Sequence, residues 1–342
     1  MLGLGLNFGS SQSGSSAARM GGPGLLLDTY GSAAAAYSLR KLNSSYSGKV
    51  LQVRRASDHV EVDVGFDADG LLSLDSPVTN VTEESTGITQ GSFTNAAKLG
   101  EFCGEARRSG GDTSYATVDS MTEAAHVEVV TWYDQSGNAN DASQAVAASQ
   151  PRIYDRTTGI VTPQSNSNPA IIGNSTNKHH LRTAAISNEF ANGYSYFAAV
   201  DDIGYNKYPF YYGETSANTS FGMWCLTYAS GKHRDDNVKT SPLQRGDSNG
   251  LIQSAFYDGG TNVDVYMSHE NGTQNSGSNS VSALASTTNG HILTLFGRWS
   301  SGGTVPGNPI SGQVQEIILY NTNRSDNRTT IESNINTFYS IY

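Results

Sequence analysis

The chain has 342 residues, of which 37% are hydrophobic and only 15% charged, and its formal net charge is −10. That balance excludes a nucleic-acid binder, whose affinity comes from Lys and Arg on phosphates, and it disfavours anionic membrane surfaces; no apolar run approaches a membrane span. Two cysteines, Cys103 and Cys225, are too few for a disulfide-stapled scaffold and are expected to be reduced and buried, while the 37 glycines favour short strands joined by tight turns.

Residues 1–24 read as an arm. Leu2, Leu4, Leu6 and Phe8 alternate like a strand, and a Gly/Ser tract from Gly9 to Ser16 follows as a linker. The start lacks an early Lys or Arg and a continuous apolar stretch, so synthesis in the cytoplasm without Sec export is expected. Apolar side chains alternating on an extended segment suit strand addition to a neighbouring subunit, which makes the arm the expected assembly element and the chain an expected homo-oligomer.

Residues 25–155 mix element types. Ser32 to Leu42 is Ala-rich with Ser32 as a cap and predicts a helix. Lys49–Arg55 and Val60–Val64 alternate as strands. Phe93 to Phe102 predicts a second helix capped by Thr94 or Asn95, and His126–Tyr133 a strong strand ending in the turn Asp134–Asn138. Residues 156–320 look all-β: Tyr194–Val200, Phe221–Tyr228, Val263–Met267, His291–Phe296 and Gly312–Tyr320 are separated by turn formers such as Asp258-Gly-Gly260 and Asn271-Gly272. A C-terminal helix capped by Ser325 closes the chain, with Ile331, Ile335 and Phe338 on one face and Ile341 just beyond. Neither part holds a complete set of sandwich strands, so 25–342 is expected to be one unit.

Four stretches in the first part, Tyr37-Ser-Leu-Arg40, Ser44–Gly48, Val53-Arg-Arg-Ala-Ser-Asp58 and Trp132-Tyr-Asp-Gln-Ser-Gly137, resemble in order and spacing the catalytic domain of the α-L-arabinofuranosidase B family. Gly312 to Tyr342 is similar to the closing strand and helix of laminin-G/concanavalin-like domains, and Asn327–Asn336 is similar to endings of tailed-phage virion proteins. The resemblance implies a mainly β, concanavalin-like sandwich of jelly-roll type with a few short helices. Residues 25–155 would form its arabinofuranosidase-like part and 156–342 its laminin-G-like part.

The resemblance also implies where catalytic acids would stand. A retaining glycosidase needs two carboxyl groups about 5–5.5 Å apart. The family's nucleophile is a Glu after a Met in a mid-chain strand, and the nearest match, Phe221-Gly-Met-Trp-Cys225, has Trp224 there. The family's acid/base Asp lies in a loop shortly before the closing strand, and the nearest match, Phe296-Gly-Arg-Trp-Ser-Ser301, has Arg298 but no acid. Indole is no nucleophile, and a guanidinium cannot cycle a proton at neutral pH. A relocated pair would draw on Glu214 with Asp247 or Asp258.

Other residues have two readings. Asp134, Ser136 and Asn138 suit a tight turn, or with Asn140 and Asp141 an oxygen-ligand calcium site, which needs six to eight oxygens. Arg54 and Arg55 straddle a strand, so one pairs inward with a carboxylate such as Asp58 or Asp63, or one contacts substrate. His179 and His180 point to opposite sides of an extended segment and read as a solvated loop and not a metal site. Tyr205, Tyr208, Tyr211, Tyr212 and Trp224 serve as core, as a subunit interface or as a sugar-stacking surface.

The expected function is a non-catalytic structural protein of a phage particle (capsid decoration, collar or tail-fibre component), glycan-facing, with no cofactor. Its partners would be other virion proteins through the arm and a host surface glycan. A receptor-binding lectin module and an arabinofuranosidase-like hydrolase are the alternatives.

Overall fold

The structure, a computed structural model, describes residues 24–83, 97–115, 126–186, 190–204, 206–213, 219–225, 229–234, 236–239, 250–269, 272–285, 290–299 and 306–342. The arm residues Leu2, Leu4, Leu6 and Phe8, the caps Thr94 and Asn95, and Tyr205, Glu214 and Asp247 lie outside these.

In chain order the first strands are β1 (Ala35–Ser38), β2 (Leu51–Arg55), β3 (Val60–Val64), β4 (Val78–Glu83) and β5 (His126–Trp132). Short strands β6 (Ala142–Ser143), β7 (Arg152–Asp155), β8 (Gly159–Ile160) and β9 (Ile171–Ile172) follow. Then come β10 (Leu181–Ile186), β11 (Tyr194–Asp201), β12 (Lys207–Tyr212), β13 (Phe221–Cys225), β14 (Ala229–His233) and β15 (Asp236–Lys239). The last are β16 (Leu251–Tyr257), β17 (Asn262–His269), β18 (Gln274–Ser280), β19 (His291–Leu295) and β20 (Gln313–Tyr320). Helices are α1 (Leu26–Thr29), α2 (Leu99–Cys103) and α3 (Arg328–Tyr339).

Among the described residues all strand pairings are antiparallel, and they build two layers. The first sheet runs β18-β17-β16-β11-β20, with β1 and β9 sharing the far edge of β20. The second runs β15-β14-β13-β12-β19-β10-β6-β5-β2-β3-β4. Strand β7 pairs with β5 and bridges to β9, so the layers join at one corner. This is the expected concanavalin-like β-sandwich with a C-terminal helix.

Strand periodicity sorts the apolar residues into two cores. On β11, Tyr194, Tyr196, Ala198 and Val200 face the space between the sheets, where Phe210, Tyr212, Met223, Leu293 and Leu295 meet them from the second layer. Phe197 and Ala199 face the other way and pack with Ile252, Phe256 and Ile318 under Ile331, Ile335 and Tyr339 of α3 and Leu26 and Leu27 of α1. Each such Ile contributes about 1.5–3 kcal/mol by leaving water. Helices therefore cover the outer face of the first sheet. The cysteines are buried and form no disulfide.

The helix expected over Ser32–Leu42 is absent: β1 occupies its centre, paired to β20 from Ala35↔Leu319 to Ser38↔Glu316. Small Ala residues fit a strand lying between two packed faces, and tertiary burial overrides their helix propensity. The second expected helix is limited, among the described residues, to α2, whose entry is closed by Glu101 Oε2 accepting from the Ala97 and Lys98 amides at 2.6 and 3.2 Å. Ser325 opens a 3-10 turn that leads into α3 and does not cap it directly.

The motifs that carry the family resemblance form a structural seam. Arg40, nearly inaccessible, donates Nε and Nη2 to Glu316 at 2.8 and 3.0 Å and Nη1 to Asn334 Oδ1 at 3.0 Å. Ser38 Oγ donates to the same carboxylate at 2.8 Å. The Asp134 carboxylate accepts from the amides of Ala36 (2.8 Å), Ser136 (2.9 Å) and Asn140 (3.1 Å) and from Ser136 Oγ (2.6 Å), which is the turn geometry of an Asx side chain. Gln135 accepts from the Leu42 amide and donates to the carbonyls of Ser38 and Arg40. Arg55 pairs with Asp58, as one reading had it; Arg54 pairs with Glu128 and not with either expected acid, while Asp63 accepts from Tyr133 Oη and Asn80 Nδ2.

Candidate functional site

No helix covers the outer face of the second sheet among the described residues, and that face is polar. Direct cross-strand neighbours on it run Lys232, Gly222, Tyr211, Thr294, Arg182, Ser143, Thr131, Gln52 and Asp63. The opposite face of the same strands supplies Phe221, Met223, Leu293 and Leu295 to the interior.

Trp224 stands on this face because its β13 neighbours Met223 and Cys225 point inward. It is half-buried. A bulge in β12 between Lys207 and Phe210 turns Tyr208 to the same side. The rings of Tyr208 and Trp224 lie nearly parallel, 10° apart in plane with centroids at 5.9 Å. Asn206, with φ 57°, places its Oδ1 3.0 Å from Trp224 Nε1, which donates to it. Lys232 Nζ lies 4.8 Å from the indole ring centroid.

Arg298 enters from the segment after β19, held by a bridge to Gly307. Its guanidinium carbon is 5.1 Å from the Tyr208 ring centroid, and Nη1 donates to Tyr208 Oη at 3.4 Å. The two positions matched to the family's nucleophile and acid/base therefore lie against one tyrosine ring. Neither is a carboxylate. Beside them the Arg182 guanidinium lies 3.6 Å from the Trp299 ring centroid, with His180 at 5.7 Å from the same ring. Tyr211 meets Tyr208 edge-on at 5.5 Å and donates Oη to Ser220 Oγ at 2.9 Å. Its ring crosses β13 over Gly222, where a Cβ would sit 2.7 Å from Tyr211 Cδ2.

Burial pushes the Tyr208 phenol up to about 12, with Arg298 pulling it back. His180 is lowered by burial, with Arg182 contributing, and His179 falls to about 4 through burial and the nearby Arg152. Both histidines are buried, which corrects the expectation of a solvated loop. The His180 ring lies against Trp299 and Gln144.

Of the aromatic group singled out in the sequence, Tyr208, Tyr211 and Trp224 come together on this face. Tyr212 faces the interior against Phe190 and Phe221. Asp258, offered for a relocated acid pair, is a turn residue: its carboxylate accepts from the Gly260 and Asn262 amides at 2.7 and 3.2 Å. Burial would raise it, but these bonds hold it below the usual carboxylate range. Sequence reasoning missed Lys232, Arg182, Asn206 and Trp299. Trp299 adjoins Arg298, but only strand register brings Lys232 and Arg182 to the strip. Among the described residues no group of three or more His, Cys, Asp or Glu side chains is placed to hold a metal.

No protein-family model and no curated protein matches the sequence. Among solved structures, a GH54 α-L-arabinofuranosidase soaked with a cyclic sulfate inhibitor matches with a TM-score of 0.52 at 16% identity. A Glu-to-Gln variant of a GH54 α-L-arabinofuranosidase soaked with 4-nitrophenyl α-L-arabinofuranoside matches at 0.51 and 15%. An arabinofuranosidase complexed with arabinofuranosyl-α-1,2-xylobiose matches at 0.51 and 16%. Each match covers 89% of this chain and 62% of the other. At such identity the likeness establishes a common fold: the chain has the β-sandwich architecture of these glycosidases.

Proposed function

We propose that this chain is a non-catalytic β-sandwich that presents the outer face of its second sheet to a glycan and serves as a structural component of a tailed-phage particle. The observation that carries the glycan reading is the half-buried indole of Trp224, backed by Tyr208 and flanked by Lys232, Asn206 and Arg298. An aromatic face with polar groups at its rim is how proteins hold sugar rings. Non-catalysis rests on chemistry: Trp224 and Arg298 occupy the positions matched to the two acids, and neither attacks nor protonates an acetal. The placement on a particle rests on the sequence likeness of Asn327–Asn336 and on the alternation of the arm.

Incubation with aryl α-L-arabinofuranoside, arabinan and a panel of aryl pyranosides is expected to release no product, while a glycan array is expected to show binding that Trp224→Ala removes. Turnover lost on mutating Glu214 or Asp247 would overturn the non-catalytic reading. Mass spectrometry of purified particles, with the chain absent from them, would overturn the particle assignment.

A further inference from the structure

We infer that the glycan recognised by this face carries an acidic group, a carboxylate or a sulfate ester, on the sugar that stacks at Trp224. This rests on the glycan reading above and names the ligand class. Across β14, β13, β12 and the segment after β19 the side chains run cation, ring, ring, cation: Lys232, Trp224, Tyr208, Arg298. Arg182 on Trp299 continues the pattern onto β10.

Arg298 is the informative residue. Five arginines elsewhere, Arg40, Arg54, Arg55, Arg108 and Arg328, each meet a carboxylate, while Arg324 lies on the Tyr320 ring and donates to the Gly31 carbonyl. Among the described residues Arg298 meets none: its side chain donates to the Tyr208 phenol, and its buried Nε makes no hydrogen bond. A guanidinium laid on a ring retains N–H groups beyond those the ring contact uses, and a carboxylate or sulfate is the acceptor that best answers them. The net charge of −10 does not oppose this, because charges beyond about 8 Å are largely screened at physiological ionic strength. Arg298 therefore sets the preference, in a protein whose overall charge points the other way.

The test uses the full chain and matched ligand pairs that differ only in the acidic group. Galacturonate oligomers are compared with their methyl esters, and 6-O-sulfated with unsulfated lactosamine, by calorimetry at low and high salt. The acidic member of at least one pair is expected to bind about 10-fold tighter than its neutral partner, a gap of about 1.4 kcal/mol. Salt should narrow it. Which pair responds identifies carboxylate or sulfate as the source. In the Arg298→Gln/Lys232→Gln double variant the ratio between the acidic and neutral members should fall below about 3-fold, whereas Trp224→Ala should weaken both members and leave their ratio unchanged. Equal binding within every pair, or a gap that survives the double variant, would overturn the inference while leaving the glycan reading intact. Binding by no member of either pair would overturn both.

Discussion

The seam between β1, β20 and the 134–141 turn and the strip across β14, β13, β12, β19 and β10 both hold Arg side chains beside aromatic rings, yet they use them in opposite ways. At the seam Arg40 touches the Phe338 ring at 4.8 Å, but its charge is answered by Glu316 and its remaining donor by Asn334. On the strip Arg298 touches the Tyr208 ring at 5.1 Å, and no carboxylate answers it among the described residues. The seam closes its arginine with a carboxylate, and the strip sets Arg298 against a phenol. Two of the stretches that resemble arabinofuranosidases, Tyr37–Arg40 and Trp132–Gly137, meet at the seam, while the strip carries Trp224 and Arg298 at the nearest matches to that family's acid positions.

The largest effect should come from breaking the seam's buried ion pair. Glu316→Ala leaves Arg40 charged and unpaired and should cost about 3–5 kcal/mol by urea denaturation. Arg40→Met with Glu316→Gln should cost much less, and a loss as large as that of Glu316→Ala would show that packing, not charge, is what matters there.

Next, Asp134→Ala removes one acceptor that serves four donors and should destabilise by about 2–4 kcal/mol. Added calcium should not restore the variant's melting temperature or raise that of the parent chain; a calcium-dependent rise in the parent would mean the loop is an ion site after all.

A smaller effect concerns acid. His179 and His180 are held neutral by burial, and a depressed histidine stabilises the fold above its unfolded value near 6.5 and loses that contribution as pH falls towards its folded value, about 4 for His179. His179→Gln should therefore melt below the parent at pH 7, with the difference narrowing by pH 4. A constant difference across that range would contradict the assignment.

The smallest stability effect belongs to the strip. Trp224→Ala removes a half-buried ring and should cost no more than about 1 kcal/mol, while glycan affinity falls at least about 10-fold. The reverse pattern, a large stability loss with unchanged binding, would make Trp224 a packing residue and merge the strip with the seam.

Alternation alone located the centres of β2, β3, β5, β11, β13, β17, β19 and β20, because each faces a core on at least one side. It missed β16, whose Gln253 and Ser254 are buried yet satisfied by Tyr196 Oη and Glu332, partners that lie 57 and 78 residues away in the chain. It misread β1, where alanine's helix propensity was overruled by pairing with a strand near the other terminus. The polar positions of the C-terminal ending are legible only in the fold: Glu332 accepts from Arg328 and Ser254, and Asn336 bonds Tyr342 and Ile341 to fasten the last residues. On the strip, the resemblance pointed to Trp224 and Arg298 as the nearest matches to the family's acid positions. Lys232 and Arg182 were invisible because cross-strand register, not sequence distance, brings them to the same face.

The central claim, that ligand sits on the strip and the seam only supports it, is tested most directly by tryptophan fluorescence. The chain has three tryptophans: Trp132 and Trp299 are buried and Trp224 is half-buried. Titration with a glycan that binds on the array should shift the emission and protect it from acrylamide quenching, and both changes should vanish in Trp224→Phe with the melting temperature within a few degrees of the parent. A ligand-induced change that persists undiminished in Trp224→Phe would place the ligand elsewhere and contradict the account.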